Sequence, residues 1–105
     1  MRETKIYIGL SDSKTKKQIF DDAKYITALK NVCYNYHIGF SIYRVEGGYF
    51  HDNGEFVAEN SLVLSLIDID YKIALNIAKY LCEEFNQESI IVTTSDVQVN
   101  YVKIK

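Results

Sequence analysis

At 105 residues, 48% of them apolar, the chain has material for one domain around one core. Twelve basic and fourteen acidic side chains leave a formal net charge of −2 with the signs interspersed, which excludes a nonspecific nucleic-acid binder needing a basic stripe. MRETKIYIGL at the N-terminus has no signal-peptide core, and no apolar run approaches the ~18 residues of a membrane span, so a soluble, cytoplasmic protein is expected.

TKIYIGL (4–10) alternates Ile6, Ile8 and Leu10 against Tyr7 and Gly9, the period of a strand. SDSKTKKQ follows, with Ser11, Asp12 or Ser13 as N-cap, and Ile19, Ala23, Ile26 and Cys33 then recur at helical spacing. The spacing predicts a first helix over about 13–34. HIGFSIYRV (37–45) sets Phe40 and Ile42 against Ser41 and Tyr43 as a second strand. EGG (46–48) and HDNGE (51–55) read as two turns around a short aromatic strand, Tyr49-Phe50, with Asn53-Gly54 the more specific turn signal.

NSLVLSLIDI (60–69) is the third strand, with Leu62, Leu64 and Leu66 on one face and Val63 and Ile67 on the other, so both faces are expected to be covered. Asp70 caps a second helix whose stripe is Ala74, Ile77, Ala78, Leu81 and Phe85. ESIIVTT (88–94) is the fourth strand, and DVQVNYVKI (96–104) alternates Val97, Val99 and Tyr101 against Gln98, Asn100 and Lys103 as a half-exposed fifth. Two strand–helix–strand units flanking a hairpin imply an α+β, ferredoxin-like sandwich, one antiparallel sheet packed on two helices. The other sheet face carries Tyr7 and Tyr43. Cys33 and Cys82 belong to no CxxC or Cys/His cluster and read as reduced, buried thiols.

IYIGL (6–10), GGYFHDNGEFVAENSLVL (47–64) and FNQESIIV (85–92) resemble a family of small bacterial and phage-associated proteins of unknown function with a split β-α-β layout. The resemblance aligns Glu59 and Ser61, then Phe85, Gln87 and Ser89, with the family's short motifs. Asn60 stands where a basic residue is frequent in the family. The resemblance implies the fold and a phage or mobile-element setting.

Two polar clusters lead into apolar strands: Glu59, Asn60 and Ser61, and Gln87, Glu88 and Ser89. If both segments start central strands, they meet at one end of the sheet. They read either as a structural bridge satisfying strand-end backbone groups or as a ligand site formed by Glu59, Asn60, Ser61, Gln87 and Ser89, with the amides as recognisers. Glu59 paired with Glu88 is an acid–base candidate only if the two approach across a pocket. Lys14, Lys16 and Lys17 near a helix start suit phosphate, but Asp12 opposes that. His37 and His51, with Asp52 and Glu55, lack zinc-ligand spacing. No catalytic residue, metal or cofactor is assigned.

The leading expectation is a non-catalytic binding module that self-associates through its sheet face or edge and takes a small, nucleotide-like ligand. The tyrosine-rich open face, with nine tyrosines in so small a chain, motivates it. The alternatives are an anti-CRISPR-like inhibitor that blocks a host defence protein, and a small enzyme using Glu59 or Glu88.

Overall fold

Six elements follow one another in the computed structural model, which describes residues 1–12, 14–15, 17–50, 53–87 and 90–104. They are β1 (Arg2–Gly9), α1 (Asp22–Tyr36), β2 (Ser41–Phe50), β3 (Phe56–Ile67), α2 (Tyr71–Glu84) and β4 (Ile91–Asp96). The strands form one antiparallel sheet in the order β2-β3-β1-β4. This is the expected α+β, ferredoxin-like layout, with both helices on one sheet face.

The pleat determines that face. Ile6 and Ile8 of β1 pair with Leu64 and Leu62 of β3, and all four join Leu10 and Leu66 in the buried core. Tyr25, Leu29 and Cys33 from α1 and Ala74, Ile77 and Leu81 from α2 close it. On the opposite face Val63 pairs with both Tyr7 and Tyr43 and is fully buried without a helix above it. The flanking tyrosines take the place of a second layer, while Ile91, beside Tyr7 on β4, stays 64% exposed.

Helix α1 starts nine residues later than the spacing predicts, at Asp22 rather than 13. Asp12 is committed to a turn, accepting from the backbone N–H of Lys14 (2.9 Å) and Thr15 (3.0 Å). A bridge between Ser11 and Gln18 folds the segment back on itself. Asp21 is the real N-cap, accepting from the Lys24 N–H at 3.1 Å, and Ile19 is left more than half exposed. Ser13 and Lys16 lie outside the described residues. Asp70 caps α2 as expected, accepting from the Lys72 N–H at 2.9 Å.

The Glu46–Gly48 stretch is not a turn. β2 runs straight through it, pairing Gly47 with Glu59, Gly48 with Ala58 and Phe50 with Phe56. The Phe56 ring lies where a Cβ on residue 48 would stand, so glycine serves here as a bed for an aromatic side chain. Phe50 and Phe56 stack edge to face, 5.1 Å between centroids, in a hairpin arm that projects past β1. His51 and Asp52, within its loop, lie outside the described residues.

Residues 97–104 do not form the expected fifth strand. The Val97 N–H still donates to the Met1 carbonyl (2.9 Å), but β1 begins there, and among the described residues the rest of the segment has no strand to pair with. Among the described residues no helix is long and apolar enough to cross a membrane.

Candidate functional site

Three segments meet where β1 ends. Because β3 already starts at Phe56, Glu59, Asn60 and Ser61 lie inside the strand and do not precede it. Strand alternation therefore divides them. Asn60 shares the helix-bearing face with Leu62 and Leu64, and Glu59 and Ser61 share the open face with Val63. The polar triplet is two half-sites back to back.

On the open face Glu59 reaches across the end of β1. Its Oε2 accepts from the Ser11 N–H at 3.1 Å, and its carboxylate fills the place that a Cβ on Gly9 would need. From the other side the Gln87 Nε2 donates to the Ser11 carbonyl at 2.8 Å. Glu59 and Gln87 thus meet at one residue, Ser11, whose backbone N–H and carbonyl are both held by side chains. Asn86, in the left-handed conformation (φ 48°) just past α2, donates to the Asp12 Oδ1 at 2.9 Å. The Thr15 N–H and, next, the Asn86 amide hold the Asp12 carboxyl below its ordinary range, although burial pulls the other way. The polar segments of β3 and of the α2 terminus are therefore joined at one end of the sheet by the Ser11-Asp12 loop. Glu88 and Ser89, which belong to the second cluster, lie outside the described residues.

On the helix-bearing side Asn60 donates from Nδ2 to the Gln18 Oε1 (3.3 Å), and the Gln18 Nε2 donates to the Asp22 Oδ1 (2.7 Å). Asp22, in the first turn of α1, also pairs with Arg44 of β2. This chain of polar groups borders a pocket of about 230 Å³ lined by Leu10, Arg44, Val45, Glu46, Asn60 and Ser61. It offers a cation, a carboxylate and an amide beside Leu10, while Val45 and Ser61, paired with each other and facing the open side, border it from the strand backbone. Its volume is below the ~300 Å³ at which drug-sized pockets begin.

Of the residues named from sequence, Asn60 and Ser61 line this pocket, whereas Glu59 and Gln87 hold the loop beside it. Arg44, Gln18 and Asp22 did not stand out in the sequence. Arg44 was legible in one respect, because it follows Ile42 by two and so shares the core-facing side of β2.

A second polar group occupies the open face: the Ser65 Oγ donates to the Glu3 Oε2 at 2.8 Å, and the Lys5 Nζ lies 3.9 Å from the Glu3 Oε1. The neighbouring Tyr43 hydroxyl, then the Glu3 charge and Tyr7, raise the Lys5 pKa.

A family model described as a protein of unknown function, DUF3574, matches residues 3–101. No curated protein matches the chain. Among solved structures, a phage SAM lyase in complex with S-methyl-5'-thioadenosine is similar at 23% identity and a TM-score of 0.71, over 90% of this chain and 80% of that one. The apo state of the phage SAM lyase gives a TM-score of 0.66 at 23% identity, over 90% and 78%. A DUF3240 family protein from Shewanella baltica OS155 gives 0.57 at 9% identity, over 97% and 96%. These likenesses show a shared fold.

Proposed function

The chain belongs to the DUF3574 family, and from that premise we propose that it is a self-associating protein that binds a small nucleoside-like ligand, of the kind S-methyl-5'-thioadenosine represents, in a phage or mobile-element setting. The observation that carries this reading is the pocket bordered by Arg44, Glu46 and Asn60 beside Leu10. A planar base is served by Leu10, and its ring nitrogens and the sugar hydroxyls by the amide, the guanidinium and the carboxylate. The fold shared with a phage lyase that holds such a ligand supports the ligand class, and the two phage structures support the setting. The exposed Ile91 and Tyr43 support self-association through the sheet face or edge.

Calorimetric titration of the full chain with S-methyl-5'-thioadenosine and with adenosine tests the proposal. Binding is expected, weakened about tenfold or more by Asn60→Ala as one good hydrogen bond is lost. No heat from either compound at millimolar concentration overturns it.

A second reading, cleavage of S-adenosylmethionine, is favoured by one feature: the Glu59 carboxylate is fixed beside Gly9 at the same end of the sheet. Chromatographic detection of S-methyl-5'-thioadenosine released from S-adenosylmethionine, abolished by Glu59→Gln, is the outcome it requires. Release that survives Glu59→Gln, or no release, removes that role for Glu59.

A further inference from the structure

We infer that residues 97–104 are a β-strand supplied to a second copy of this chain, where they add to the free outer edge of β2 in the projecting hairpin arm; the inference rests on the self-association reading and specifies its contact. The segment alternates as a strand does, with Val97, Val99 and Tyr101 against Gln98, Asn100 and Lys103, yet after Val97 none of the described residues of its own chain pairs with it. Val102 is 89% exposed and Ile104 98%, a degree of apolar exposure that a lone copy gains nothing from.

The complementary feature lies at the other end of the molecule. β2 is an edge strand of ten residues, with residues 46–50 in the projecting arm, long enough over its whole length to receive the eight residues of 97–104, and its outer N–H and C=O groups face no other strand of the sheet. The arm it forms with β3 carries the exposed Phe50 and Phe56 as apolar surface for the segment's valines. Charge also fits. Lys103 is the segment's single charged residue, while Glu46 and Glu55 lie on the arm. β4 is the poorer recipient, with only six residues and Arg2 and Asp96 paired at its end. The segment leaves from the end of the sheet where β1 begins and the arm projects from the end where β1 finishes, so no copy satisfies its own arm.

Sedimentation equilibrium of the full chain at low and high micromolar concentration, with the variants Val99→Pro and Val102→Asp/Ile104→Asp, tests this. Proline removes a ladder N–H, and the aspartates place charge against the acidic arm. All three sites lie outside the core, so far-UV circular dichroism and the melting transition of the folded chain serve to show that each variant is folded. The expected result is a wild-type oligomer whose half-dissociation concentration rises about tenfold or more in both variants. Amide exchange at 97–104 is expected to slow as wild-type concentration rises. A wild-type oligomer unchanged in both folded variants overturns the strand assignment and leaves self-association standing. A wild type that is monomeric at high micromolar concentration overturns both.

Discussion

Gln87 donates its amide to the Ser11 carbonyl at 2.8 Å, and no lining residue of the pocket depends on it directly. Gln87→Ala strips a partly buried acceptor of its partner, at a cost of about 1–3 kcal/mol. The expected outcome is a lower melting temperature with ligand affinity nearly unchanged, read by thermal melts and titration on the same variant. In the structure Gln87 and Glu59 hold the Ser11 backbone, and Asn60 and Ser61 line the pocket. The sequence names most of these polar groups, since Glu59-Asn60-Ser61 interrupts an apolar run. It does not reveal that strand alternation splits them between two faces, because that depends on β3 starting at Phe56. Nor does it show Ser11 as their meeting point, since the bonds use its backbone and not its side chain.

At the scale of elements, the two helix caps show what local patterning conveys. Asp70 lies directly before an uninterrupted apolar stripe, and α2 starts where the pattern says. Before α1 stand three candidate caps at 11–13, but Asp12 closes a turn of its own and Asp21 caps the helix. Asp21→Ala is therefore expected to cost about 1 kcal/mol, a fall of roughly 4–8 °C in a domain of this size by differential scanning calorimetry. Strand signals fail for a related reason. The Gly47-Gly48 pair reads as a turn in isolation, but the ring of Phe56 across the ladder gives Gly48 a packing role. Residues 97–104 have a strand's alternation, but a strand also needs a neighbour, which the pattern of one segment does not encode.

Across the whole molecule, the core follows from the apolar alternation, while the outline does not. The arm and the 97–104 segment stretch it to 54 × 27 × 26 Å, with a radius of gyration of 15.0 Å against about 13 Å for a compact chain of this length. Asp12 ties the loop after β1 to the end of α2, so its titration reports on how these parts are held together. Its folded-state pKa is lowered from 3.8, so its contribution is fully present above the unfolded value and disappears as pH falls through the lower folded value. Thermal melts of wild type and Asp12→Asn in an acid series are expected to differ near neutrality and converge below the ordinary carboxylate range. A gap that persists at the lowest pH overturns that role. The Ser11 backbone, gripped on its N–H by Glu59 and on its carbonyl by Gln87, carries a different consequence. A scan that replaces side chains one at a time will pass over position 11 as silent, although two distant segments of the chain converge on it. An ester in place of the amide preceding Ser11, which swaps its N–H for an oxygen and leaves every side chain intact, is the change that exposes the junction.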